Sequence, residues 1–138
     1  GAASAAAAPP PEAPPTPAPT HALVPVGGWI STYYGPAHPG IDIAAPLGRP
    51  VGATAAGVVV TVNDWRVSYG RHVIVDHGRG WQSLYAHLDN VAVRAGQTVA
   101  AGQVLGWVGA TGKATGPHLH FEVRSDGRGV DPLIFLPH

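Results

Sequence analysis

The chain has 138 residues, with eight Lys plus Arg balanced by eight Asp plus Glu, and no cysteine. That length fits a single domain, and the charge balance offers no basic field for a polyanion, which excludes nucleic acid as the expected partner. No stretch reaches the roughly 18 apolar residues that would span a bilayer; without thiols there is no disulfide scaffold, and a metal site must be built from His, Asp or Glu.

In chain order, the first twenty residues, GAASAAAAPPPEAPPTPAPT, hold eight alanines and seven prolines and no hydrophobic side chain larger than alanine. Proline fixes φ and removes donors, so residues 9–19 read as an extended, semi-rigid spacer, while residues 2–8 have length for only a turn or two of helix, marginal on its own. Residues 1–22 are therefore expected to be a disordered linker or tail, and residues 23–138 the folded domain. No signal-peptide pattern is visible at the start.

The folded part shows no helical period, because Gly and Pro interrupt the windows of helix length. Strand signals are plentiful: GVVVTV (57–62), RHVIVDH (71–77), WQSLYAHL (81–88) and LHFEVR (119–124), with HGRG and SDGRG as turn chemistry and DPLIFL closing the chain. AGQTVA (95–100) is followed at once by AGQVLG (101–106), a two-copy repeat expected to make tight successive hairpins. Many short strands with glycine turns predict an all-β fold: an antiparallel sheet or partly closed, sandwich-like barrel with glycine-rich hairpins and an aliphatic core.

Two segments carry chemistry. In the strand HLHFEV, side chains alternate, so Leu119, Phe121 and Val123 face a core while His118, His120 and Glu122 share the other face. In HPGIDI, an extended chain puts His38 and Asp42 on one side and Ile41 and Ile43 on the other, with Gly40 between them expected to leave open space. Asp42, between two isoleucines, needs a partner, since a carboxylate buried alone is very costly. His38, Asp42 and one of His118 or His120 make the two-nitrogen, one-oxygen set of a catalytic zinc with an open water position. The remaining histidine of the pair would stand where a general base belongs, and His87, on its own strand, is a further candidate. His21, His72 and His138 read as structural, as does His77 in its turn.

HPGIDIAAPLGRPV (38–51), YGRHVIVDHGRGWQSLYAHL (69–88), VRAGQTVAAGQVLGWVGATGKATGPHLHFEVR (93–124) and VDPLIFL (130–136) together resemble peptidase family M23, the zinc-dependent cell-wall endopeptidases of the lysostaphin and LytM type. The resemblance implies that His38, Asp42 and His120 bind Zn2+, and that His118 assists catalysis paired with His87. It implies an enzyme acting on peptidoglycan peptides, in stems or cross-bridges, from an extracytoplasmic location: secreted, periplasmic or cell-wall associated. A monomer is expected, with partner domains in a longer parent. Glu122 would orient a ligand, and Tyr33, Tyr34 or Trp107 would line a shallow cleft. Relatives often have a longer region before the first ligand than GGWISTYYGPAHPG, so the groove wall there is expected to be low. The only asparagines, Asn63 and Asn90, fall inside the match, so no inhibitory asparagine is expected in the tail. The rival within the resemblance is a non-catalytic wall-binding or amidase-activating module, which typically lacks a ligand; none is missing here. A swinging-arm carrier would need its lysine at Lys113, which lacks the usual neighbours.

Overall fold

The computed structural model describes residues 22–64, 68–111 and 116–136. The Ala/Pro-rich segment, His21, Lys113 and His138 lie outside the described residues. Ten strands follow in order: β1 Trp29–Thr32, β2 Ile41–Ala44, β3 Pro50–Gly52, β4 Gly57–Asp64, β5 Arg71–Gly78, β6 Trp81–Val91, β7 Thr98–Val99, β8 Val104–Val108, β9 His118–Ser125 and β10 Arg128–Val130. Among the described residues, one 3-10 turn, Pro132–Ile134, is capped by the Asp131 carboxylate, which accepts from Leu133 N–H.

The hairpins form where turn chemistry dictates. Arg79 and Gly80 join β5 to β6 with φ of 54° and 86°, and Asp126 and Gly127 join β9 to β10 with 51° and 81°. Paired positive φ at a two-residue loop matches the twist of the flanking strands. The AGQ repeat makes twin turns rather than successive hairpins. In each copy the Gln side chain accepts from the backbone three residues earlier, Gln97 from Arg94 and Gln103 from Ala100. The short strands that follow then part company, β7 pairing with β4 and β8 with β3 and β6.

All pairing is antiparallel, in the order β1-β2-β9-β6-β5-β4-β7. The expected partly closed, sandwich-like barrel is corrected: the sheet is open, since β1 and β7 end the path and do not meet. The reason lies in the two long central strands, each of which divides one edge between two partners. β6 pairs with β9 through Trp81–Ala86 and then with β8 from Leu88 to Val91. β9 pairs with β2 through His118–Phe121 and then with β10 through Val123–Ser125. The sheet therefore branches where a barrel would continue round.

One face of this sheet carries the core: Ile41, Ile43, Val73, Val75, Tyr85, Leu119, Phe121 and Val123 are buried, joined by Val51, Leu105, Val108 and Phe135. Ala22 is buried with them. The opposite face of β2 and β9 holds Asp42, His118, His120 and Glu122, so the alternation read from both segments is the alternation observed.

Candidate active site

β2 and β9 pair so that Asp42 lies directly opposite His120 and Ala44 opposite His118. Cross-strand partners share a face, which brings two segments 78 positions apart into contact. Gly40 serves this pairing. The expectation of open space there is corrected: a Cβ would overlap the Phe121 carbonyl oxygen and press on the Glu122 side chain, so the glycine permits close approach of backbone to β9.

His38, Asp42 and His120 each present a ligand atom, and these atoms all lie within 4.8 Å of one another. The Nδ1 of His38 lies 2.7 Å from the Gly40 carbonyl. Only an N–H can meet a carbonyl, so Nε2 bears the lone pair in the neutral ring, and it sits 3.2 Å from Asp42 Oδ2. His120 stands between two carboxylates, with Nδ1 2.8 Å from Asp42 Oδ1 and Nε2 2.9 Å from Glu122 Oε2. A neutral imidazole has one N–H, so it satisfies both only when doubly protonated or when a metal replaces one proton. Lone pairs converging on a carboxylate are the donor set of a cation, and the residues fit a divalent metal.

Electrostatics agree. Burial opposes charge on His120, but the Asp42 and Glu122 carboxylates outweigh it and push its pKa up to about 9. Burial likewise raises the Asp42 carboxyl, yet the facing imidazoles, His120 first, hold it below its usual range. Glu122 is also held low against its burial, by hydrogen bonds from His120, Tyr69 and Arg124.

The second pair of histidines faces this group across the cleft. His118 Nδ1–H donates to Gly116 O at 2.9 Å, and His87 Nδ1–H to Thr111 O at 2.6 Å. Their ring centroids are 5.0 Å apart, and Nε2 of His118 lies 3.6 Å from Asp42 Oδ1. Burial holds the pKa of His87 below the ordinary histidine range, so the ring is neutral at pH 7 and can accept a proton.

A cleft of about 410 Å³ is lined by all five of these residues with Pro39, Ser68 and Tyr69. A second depression, lined by Tyr34 and Pro36, meets the first at His38 and Pro39. Tyr34 is tied to β10 by its hydroxyl, which donates to Gly129 O at 3.2 Å. Tyr33 is exposed, and Trp107 packs half-buried on β8 away from both depressions. Tyr69 escaped the sequence reading. Its ring stacks on His120 with centroids 5.7 Å apart, its hydroxyl donates to Glu122, and burial together with Glu122 pushes its pKa up to about 12. The only signal was an aromatic beside Gly70 at the mouth of a strand. His72 and His77 stay outside the cleft; His77 bonds Ala56 O and the Ser83 hydroxyl.

Residues 36–132 match the family described as Peptidase family M23. The chain belongs to that family. It is 47% identical over 101 residues to the DD-carboxypeptidase/endopeptidase Mpg of Neisseria meningitidis, a match covering 72% of this chain and 23% of that protein. It is 40% identical over 122 residues to a lipoprotein NlpD/LppB homolog of Pseudomonas aeruginosa, covering 81% of this chain and 41% of the relative. Among solved structures, a zinc containing peptidase from Vibrio cholerae superposes with a TM-score of 0.76 at 32% identity, covering 89% of this M23 chain and 41% of that one. The M23 chain thus spans less than half the length of each of these relatives.

Proposed function

We propose that this M23 chain is a zinc-dependent endopeptidase that hydrolyses peptide bonds in peptidoglycan stem peptides or cross-bridges. The observation that carries the reading is one cleft holding two constellations: the His38–Asp42–His120 donor set, and the His87–His118 pair beside it. Two imidazoles and one carboxylate favour zinc over the harder cations, which prefer all-oxygen sites. Zinc, when bound, supplies Lewis acidity toward a scissile carbonyl and lowers the pKa of a water toward neutrality.

The remaining work falls to this chain's own groups. His118 and His87 have both committed Nδ1–H to backbone carbonyls, so each keeps its Nε2 lone pair for chemistry. One takes the proton of the attacking water and returns it to the leaving amine; the other, when it has taken a proton from solvent on Nε2, hydrogen-bonds the developing oxyanion and keeps that proton through the turnover. Glu122, Tyr69 and Arg124 hold His120 so that its Nδ1 would be free to bind a metal together with His38 and Asp42. The small side chains of peptidoglycan peptides suit an open cleft with little apolar wall.

A peptidoglycan substrate and a lipoprotein among the relatives support an extracytoplasmic, cell-wall location. No described helix is long and apolar enough to cross a membrane. We read the Ala/Pro-rich segment as a spacer to partner domains, its boundary falling before Ala22, which is buried with the core, and residues 23–138 as the body of a peptidase unit acting as a monomer.

The test incubates the zinc-loaded chain with purified peptidoglycan from several bacteria, with His118→Ala in parallel, and identifies soluble products by mass spectrometry. New peptide amino termini, absent with the variant, are expected and name the bond. Intact cross-links with zinc verified in the protein would overturn the reading in favour of a binding or activating module.

A further inference from the structure

His87 is on the wrong face of its strand by simple alternation. Tyr85 pairs with Phe121, and Ala86 with His120. Residue 87 should therefore return to the core side with Tyr85, yet it lines the cleft with His118 and His120. The register against β5 shows how. Val73 pairs with Tyr85 but Arg71 pairs with Leu88, so Ala86 and His87 together oppose the single residue His72. This is a β-bulge, which inserts one residue and re-aims a side chain. His87 takes it up with a φ of 63°, the left-handed region that non-glycine residues avoid. Leu88 is then back in the core, fully buried. Such a conformation persists only where its surroundings hold it.

The surroundings are the short segment after β8. Gly109 packs so closely on the bulge that a Cβ there would overlap Asp89 N and crowd His87 O. Thr111 closes the arrangement with three hydrogen bonds. Its hydroxyl donates to Leu88 O at 2.8 Å and accepts from Arg71 N–H at 3.1 Å, while its carbonyl takes the His87 Nδ1–H. The same segment reaches the other histidine of the pair, because Gly109 bridges to His118.

We propose that Thr111 is a positioning residue for His87: its hydroxyl, anchored on Leu88 and Arg71, fixes the carbonyl that selects the Nδ1–H form and aims Nε2 into the cleft. This rests on the peptidase reading for its consequence in turnover, though not for its structural content. The hydrogen bonds of Thr111 go to Arg71, His87 and Leu88 and not to His38, Asp42 or His120, so its effect is separable from metal binding.

The experiment uses the full chain, 15N-labelled, as wild type, Thr111→Val, Thr111→Ala and Thr111→Ser, with His87→Gln to assign the His87 signals. Long-range 1H–15N spectra read the tautomer, a chelator competition reads zinc affinity, and peptidoglycan digestion reads kcat and KM. Expected are an Nδ1–H His87 in wild type and Thr111→Ser, and a shift toward Nε2–H in the Val and Ala variants. In those two, kcat falls about ten- to hundredfold with KM and zinc affinity within about twofold. An unchanged His87 tautomer in both variants would overturn the proposal. So would loss of fold in both, with zinc affinity lost alongside, since Thr111 would then be merely structural. A wild type that shows the tautomer pattern but cleaves nothing would sink the peptidase reading and leave the positioning role standing.

Discussion

Glu122 holds the far nitrogen of His120: its Oε2 lies 2.9 Å from Nε2, and both side chains are buried. The same carboxylate accepts from Tyr69 and from Arg124, so the ring is fixed in position with its Nδ1 turned to Asp42 in the candidate donor set. Glu122→Gln keeps the volume but replaces an acceptor-only group with a half-donor. Zinc affinity is expected to fall about ten- to a hundredfold with the fold retained. Chelator competition measures it, and an affinity equal to wild type would show that β9 alone orients His120.

Much of this site was legible because a strand's period of two is rigid. His118, His120 and Glu122 opposite Leu119, Phe121 and Val123 could be read from six letters, and the β2 segment likewise. What alternation could not show were the places where the chain departs from regular form. The side chain of His87 reaches the cleft through a bulge, invisible until the Val73–Tyr85 and Arg71–Leu88 registers are compared. Gly40 looked like room for a ligand but makes room for the Phe121 carbonyl. The barrel expectation failed for a related reason: sequence marks strands but not that β6 and β9 each split an edge between two partners.

Gly40→Ala tests that close approach directly. The added methyl would collide with β9 backbone, which cannot yield as a flexible side-chain tip could. The β2–β9 pair would have to part between His38 and Asp42. A loss of about 2–4 kcal/mol is expected, a fall in Tm on the order of 10 °C, with weakened zinc binding. Wild-type values in a thermal melt and a zinc titration would mean that β2 shifts freely at this point.

The metal-free protein should be most stable near pH 6.5. The folded-state pKa of His120 is raised to about 9 from an ordinary value near 6.5, so its contribution is fully present below 6.5 and lost as pH rises through about 9. His77 and His87 are depressed, chiefly by burial, so the unfolded chain binds their protons first and stability falls as pH drops below 6.5. Asp42 and Glu122, also depressed, add to the loss toward acid. Urea unfolding in the presence of a chelator is expected to give a maximum near 6.5, and a slope above it of at most about 1.4 kcal/mol per pH unit. Zinc should reverse the alkaline limb, because ligation requires the proton to leave Nδ1. A metal-free curve that is flat between pH 6.5 and 9 would mean that His120 does not hold that proton.

His118 and His120 sit two residues apart on one face, yet they should fail differently. His120 has Nδ1 2.8 Å from Asp42 and lies in the donor set, whereas Nε2 of His118 is 3.6 Å from the same carboxylate and its ring packs on His87. Replacing His120 by Ala removes one donor of three and leaves Asp42 and Glu122 without their shared imidazole. Zinc binding should fall by more than a hundredfold and hydrolysis with it. Replacing His118 by Ala leaves the donor set complete, so zinc affinity should stay within about threefold while kcat drops about a hundred- to ten-thousandfold. Zinc content after dialysis and turnover on peptidoglycan, measured on the same preparations, separate the two. If His118→Ala lost its zinc, the roles read for the H-x-H pair would have to be exchanged or shared, and proton transfer would rest on His87 alone.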